Sequence, residues 1–118
     1  MHIVLVVEDD ADIRDLVAET LRPEGYTVVE AANGQEALDW LRSNARPCLI
    51  LLDLMMPVLS GPELLELMAE DEVLASLPVV VVSAIADRGS VPGVLRFLQK
   101  PVPSDVLRGV VAEFCPAR

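Results

Sequence analysis

Histidine and lysine each occur once in these 118 residues, as His2 and Lys100. One histidine excludes multi-histidine zinc sites, and its place beside the N-terminus argues against a Ser-His-Asp or Cys-His catalytic pair. Basic charge is scarce: nine Lys and Arg stand against 19 Asp and Glu, a net charge of −10. That balance argues against a nucleic-acid backbone or an anionic membrane as partner. Cysteine appears twice, at Cys48 and Cys115, without a C-x-x-C spacing and inside apolar sequence. Free, buried or half-buried thiols in a reducing compartment are the expectation. No apolar run approaches the roughly 20 residues of a membrane span. The apolar start meets Glu8, Asp9 and Asp10 with no basic region or cleavage site. A cytoplasmic location is therefore expected. With 53% hydrophobic and 24% charged residues, the chain reads as one globular domain over residues 1–118, neither disordered nor a coiled coil.

Short apolar runs alternate with segments of helical period. Residues 3–7 are uniformly apolar and rich in β-branching, as a strand buried on both faces requires. Residues 11–22 put Ile13, Leu16, Val17 and Leu21 on one stripe, an amphipathic helix stopped near Pro23 and Gly25. Residues 26–30 predict a second, more edge-like strand. Asn33 with Glu36 resembles a capping box opening a helix to about Ser43. Residues 48–53 predict a third strand. Ser60 with Glu63 is another capping box, with Pro62 in the first turn of a helix reaching about Asp71. Residues 78–83 and 95–99 predict strands four and five. Residues 104–114 predict a last helix burying Val106, Leu107, Val110, Val111 and Phe114. This alternation predicts an α/β fold, a doubly wound five-stranded parallel sheet.

Four of the five strands are followed at once by a functional group: Glu8, Asp9 and Asp10 after the first, Asp53 after the third, Ser83 ending the fourth, Lys100 after the fifth. Ligands of open α/β sheets bind beyond the carboxyl ends of the strands, where strand order reverses. With the order 2-1-3-4-5, strands one and three are neighbours there and their acids share a crevice. Crowded carboxylates raise a pKa or recruit a cation, and an all-oxygen set favours Mg²⁺. A carboxylate beside such an ion can attack phosphorus, giving an aspartyl phosphate. A hydroxyl and an ammonium then hold the other phosphoryl oxygens. Each group alone has a plainer reading: acids suit a helix N-terminus, Asp53 a cap or turn, Lys100-Pro101 a surface turn. Their conjunction at one end of one sheet favours the site.

At these residues the sequence resembles the receiver domain of two-component response regulators, over nearly its whole length. Residues 3–14 are similar to the family's first strand and acidic pair, Glu8 and Asp9, with Asp10 one position beyond. Leu51-Leu52-Asp53-Leu54-Met55-Met56-Pro57 resembles the phosphoacceptor motif. Ser83-Ala84 resembles the hydroxyl-alanine pair, and Phe97-Leu98-Gln99-Lys100-Pro101 the lysine motif with its cis Lys-Pro bond. The resemblance implies a flavodoxin-like fold and a phosphoacceptor, Asp53, assisted by Ser83 and Lys100. It implies Mg²⁺ held by Glu8, Asp9, Asp53 and the Met55 backbone carbonyl, and a switch involving Ser83 and Phe97. The donor would be a sensor histidine kinase or phosphotransfer protein. The readout would be binding to a downstream protein target, with no enzymatic activity beyond self-phosphorylation and self-dephosphorylation.

Departures from the family pattern carry further expectations. Apolar Met55 and Ile85 beside the phosphoryl position predict a long-lived phosphoryl group. Residues 84–94 are short and hold Gly89, Pro92 and Gly93, so the helix between strands four and five is expected to be shortened or missing. That would uncover the sheet near Val80, Val82 and Phe97, a face for a homodimer or partner, unless a loop folds back over it. Two other functions compete: a degenerate receiver acting as a constitutive scaffold, and an Mg²⁺ phosphohydrolase, which would need a lid this chain has no length for. Whether the receiver stands alone or belongs to a larger protein stays open.

Overall fold

Five parallel strands, β1 (Ile3–Val7), β2 (Thr27–Ala31), β3 (Leu49–Leu52), β4 (Val79–Ser83) and β5 (Arg96–Gln99), form one sheet in the order β2-β1-β3-β4-β5. The computed structural model describes residues 2–43, 46–84 and 94–116. The helices are α1 (Ala11–Leu21), α2 (Gly34–Ser43), α3 (Gly61–Ala69), a single turn α4 (Glu72–Ala75) and α5 (Ser104–Phe114). The expected doubly wound sheet and its strand order are thus what the chain adopts.

Strand alternation sends successive side chains to opposite faces, so the uniformly apolar strands feed two cores. On one face Val4, Val6, Leu49, Leu51 and Val80 pack against Ala18 and Leu21 of α1 and Leu107, Val110 and Val111 of α5. On the other, Leu5, Val7, Ile50, Leu52 and Val79 pack against Ala37, Leu38 and Leu41 of α2, Leu64 and Met68 of α3, and Leu74 of α4. Each fully buried Leu or Val contributes roughly 1.5–3 kcal/mol relative to exposure, so both layers resist sliding on the sheet.

Local signals place the helix starts. Ser60 accepts from the Glu63 N–H at 3.3 Å while Glu63 accepts from the Ser60 N–H at 2.9 Å, the reciprocal capping box read from the sequence. Asn33 accepts from the Glu36 N–H at 2.9 Å, and Glu36 reaches back to the Ala32 N–H at 2.8 Å. The third helix ends at Ala69, short of the expected Asp71, because Asp71 caps a new turn, accepting from the N–H groups of Val73 and Leu74.

Several expectations need correction. Leu16 is 58% exposed and Val106 is also exposed. Small Ala18 takes the centre of the α1 contact, letting that helix approach the sheet closely, and the buried arc of α5 centres on Leu107, Val110 and Val111. Val80 and Val82 lie on the face covered by α1 and α5. Phe97 follows alternation to the opposite face from Leu98, which packs with them. The three therefore do not form one uncovered patch. The expected loss of the helix before β5, together with Ile85, falls on residues 85–93, outside the described residues, as does any homodimer face built there.

Cys48 and Cys115, expected as free thiols, are joined in a disulfide with Cα atoms 5.5 Å apart and a sequence separation of 67. In a parallel wound sheet every strand starts, and every helix ends, at the same edge. Cys48 precedes β3 and Cys115 caps α5, so the topology brings them together.

Candidate functional site

The opposite edge, where the strands end, collects the polar groups. β1 and β3 are neighbours, with Val7 paired to Leu52. The main chain continues that pairing: the Asp53 N–H donates to the Val7 carbonyl at 3.0 Å, and the Glu8 N–H to the Ala31 carbonyl at 3.0 Å. Glu8 and Asp53 are thereby fixed side by side at the reversal of strand order, 5% and 6% exposed. Asp9 is exposed, yet it, Glu8 and Asp53 each present a carboxylate oxygen within 4.8 Å of the others.

Lys100, directly after β5, reaches across to them. Its Nζ donates to Glu8 Oε1 at 2.5 Å and to Asp53 Oδ2 at 3.3 Å. Its backbone N–H donates to the Ser83 carbonyl at 2.9 Å, and the Lys100–Pro101 bond is cis, as the resemblance implies. Burial raises the Glu8 carboxyl above its ordinary 4.5, with the Asp53 charge adding, while hydrogen bonds from Lys100 and the Asp10 N–H offset this only in part. Burial opposes charge on Lys100, but the Glu8 hydrogen bond and the charges of Asp53 and Glu8 outweigh it, so the ammonium is held above its ordinary 10.5.

Ser83 ends β4 fully buried, opposite Gln99. Phe97 sits half-buried one strand further, opposite Val81 and away from the acids. Met55 is exposed, and its N–H donates to Asp53 Oδ1 at 3.3 Å, orienting the carboxylate. The structure thus brings Glu8, Asp9, Asp53, Met55 and Lys100 together, joins Ser83 to them through the Lys100 main chain, and leaves Phe97 at a distance.

The acids after β1 also suit a helix start, and Asp10 does cap α1, accepting from the Asp12 and Ile13 N–H groups at 2.9 and 3.2 Å. Two further supports escaped the sequence reading. Arg14 donates to the Glu8 carbonyl at 2.8 Å and pairs with Glu30 at 3.3 Å, anchoring the turn that carries the acids. Gly61 allows α3 to start against the phosphoacceptor strand: a Cβ there would lie 2.7 Å from Leu54 Cα and 2.8 Å from the Asp53 carbonyl oxygen. Only the S-x-x-E box beside Gly61 hinted at this contact. A cavity of about 430 Å³ runs from Glu8, Asp53 and Lys100 between α1 and α5, past Ile13, Val17 and Leu107.

The donor set fits a hard divalent cation. Three carboxylates face one ammonium, two of them are buried, and no sulfur or imidazole is among them. Glu8, Asp9 and Asp53 are the residues that would hold Mg²⁺.

The family model of the response regulator receiver domain matches residues 4–112. Sporulation initiation phosphotransferase F of Bacillus subtilis is 33% identical over 121 residues, covering 98% of this chain and 94% of that protein. The alkaline phosphatase synthesis transcriptional regulatory protein SphR of Synechococcus elongatus is 40% identical over 89 residues, covering 69% of this chain. That match takes in 34% of SphR, so the chain spans about a third of that relative's length. Among solved structures, chemotaxis protein CheY4 of Vibrio cholerae superposes with a TM-score of 0.87 at 29% identity, covering 97% of this chain and 98% of that one. Response regulator TrrA of Thermotoga maritima, in complex with Mg²⁺-BeF, gives 0.85 at 29% identity, covering 97% and 99%. The carboxylate cluster and the family model point the same way.

Proposed function

The chain belongs to the response regulator receiver family, and from that premise we propose that it takes a phosphoryl group onto Asp53 and signals by phosphorylation-dependent protein binding. One observation carries the reading: Glu8, Asp9 and Asp53 converge within 4.8 Å, with Lys100 bonded to two of them. A degenerate scaffold has no need of two buried carboxylates held against each other by a single ammonium.

The donor is a sensor histidine kinase or phosphotransfer protein, and the domain catalyses only its own phosphorylation and dephosphorylation. One Asp53 oxygen attacks phosphorus; the bond from phosphorus to the donor nitrogen breaks as the new P–O bond forms. The Met55 N–H on Oδ1 and Lys100 on Oδ2 orient the attacking carboxylate. Bound Mg²⁺ would neutralise charge as the phosphoryl oxygens enter the acidic crevice. Lys100 then pairs with a phosphoryl oxygen in place of the Asp53 oxygen it now holds. The product brings about −2 charge and three strong acceptors, drawing the Ser83 hydroxyl and repacking Phe97 behind it, a shift between two packings of one fold. Such relays work in the cytoplasm, and no described helix is long and apolar enough to cross a membrane.

Incubation with Mg²⁺ and acetyl phosphate, read by intact mass, tests this. One added phosphoryl group, absent in Asp53→Ala, is expected. No gain, or a gain that survives the substitution, refutes the reading. With Met55 apolar at the mouth, the phosphoryl group is expected to outlast minutes; loss within seconds refutes that part.

A further inference from the structure

We propose that Cys48 and Cys115 form a reversible thiol–disulfide couple, assisted by His2, that ties the end of α5 to the start of β3. The pair lies at the edge of the sheet opposite the carboxylates and does not take part in their chemistry.

The site is held in place by the fold. The Cys48 N–H donates to the Ile3 carbonyl at 2.8 Å, and the Thr27 N–H to the His2 carbonyl at 2.9 Å, so the sheet fixes both backbones. The Tyr26 hydroxyl donates to the Cys115 carbonyl at 2.7 Å inside the core, fixing the end of α5. The Cα separation of 5.5 Å lies at the usual value for a disulfide. When the bond opens, the two sulfurs therefore stay within reach of each other. As a thiol, Cys48 has an acceptor in the Ile3 carbonyl, 3.2 Å from its Sγ.

Burial separates the two sulfurs by role. Cys115 is 1% exposed, while Cys48 and His2 are half-buried. An incoming thiol or disulfide reaches Cys48 first, and Cys115 acts as the resolving sulfur. A ring nitrogen of His2 lies within 4.8 Å of both sulfurs. An imidazole so placed takes the Cys48 proton and holds the thiolate, the species that exchanges. With a glutathione-type disulfide as oxidant, the Cys48 thiolate attacks one sulfur and expels one thiolate, leaving a mixed disulfide. The Cys115 thiolate then attacks Cys48 Sγ and expels the second thiolate. Two protons leave the cysteines and end on the two released thiols, so one disulfide is reduced as one is formed.

Reversibility rests on the cytoplasmic location proposed above, where persistent disulfides are rare and those that form are transient or redox-sensing. The couple itself does not depend on Asp53. Because α5 follows Lys100-Pro101 and ends at Cys115, oxidation clamps the far end of the helix that begins beside the phosphoacceptor site.

The test equilibrates the whole chain in buffers of varied reduced and oxidised glutathione, quenches with acid, alkylates and weighs it. A single step is expected, from two alkylated thiols to none, within cytoplasmic glutathione ratios. Cys115→Ser should trap glutathione on Cys48, whereas Cys48→Ser should leave Cys115 almost unmodified in the folded protein. His2→Gln should slow Cys48 alkylation at pH 7 about threefold, because the thiolate fraction falls while the remaining thiolate is more nucleophilic, without changing the melting temperature of the oxidised form. Independent titration of the two thiols, a disulfide between chains, a bond that no cytoplasmic ratio reduces, or equal modification of both cysteines overturns the proposal. So does zinc binding by the reduced protein that prevents reoxidation, which would make the same three side chains a metal site. Acetyl phosphate uptake measured on the same samples reports on Asp53 separately, so the two readings fail independently.

Discussion

Asp53→Asn should stabilise the metal-free domain, although it removes a partner of Lys100. At an effective dielectric constant of about 20, Lys100 at 3.3 Å contributes roughly −5 kcal/mol to a charged Asp53, and Glu8, with a carboxylate oxygen within 4.8 Å, returns at least roughly +3.5. Asp9 is exposed, so solvent screening cuts its repulsion to about 1 kcal/mol or less. The pairwise sum is close to zero. What remains is desolvation, several kcal/mol for a buried carboxylate, of which the hydrogen bond from the Met55 N–H offsets about 1.5–3. A carboxamide oxygen keeps that bond without the charge, and Lys100 keeps Glu8. The expected net gain is about 2 kcal/mol, or roughly 8 °C in melting temperature for a domain of this size. With Mg²⁺ at ten times its dissociation constant, the wild type gains about 1.4 kcal/mol, and the variant, short of one ligand, gains less. The gap should narrow accordingly. Urea and thermal unfolding in EDTA and in Mg²⁺ measure both. A variant less stable than wild type in EDTA, or a gap indifferent to Mg²⁺, would refute the idea that the site is a store of unrelieved charge.

Glu8 makes a prediction with a definite sign. Its carboxyl is raised in the folded state, so between 4.5 and that raised value the native protein holds a proton the unfolded chain has lost. Stability in EDTA should fall as pH rises through this window, and Glu8→Gln should lack that fall; urea midpoints that rise for wild type relative to the variant would contradict it. Gly61→Ala drives a Cβ into the Leu54 and Asp53 main chain and should cost about 1–3 kcal/mol. It should also slow uptake from acetyl phosphate, and wild-type values for both would refute the close-contact role. Val58 holds φ at 69° in a tight turn closed by the Leu59 N–H on the Pro57 carbonyl at 2.8 Å, a left-handed conformation that is costly for a β-branched residue. Val58→Gly should therefore raise stability by about 1 kcal/mol, and a lower melting temperature would count against strain there.

Much of the fold is legible because the relevant signals are local. Five apolar runs, the Ser60 and Glu63 box and the polar residue after each buried strand depend on neighbours within a few positions. Connection rules then leave few topologies. The candidate site followed from the same logic, since the strand order that buries Leu5 and Ile50 side by side also places Glu8 beside Asp53. Asp71 shows where local reading fell short. It served as an end to one helix, and its carboxylate also opens the next.

The sequence by itself determined which segments are strands, which residues cap α2 and α3 and which chemical groups stand at the strand ends, because these follow from period, cap chemistry and charge. Only the tertiary structure decided that Arg14 holds the Glu8 carbonyl, that Ala18 displaces Leu16 from the core, that Val80 and Phe97 part to opposite faces, and that Cys115 meets Cys48. Those contacts join residues whose distance depends on how layers pack and how the chain returns to one edge of the sheet, which sequence spacing does not encode.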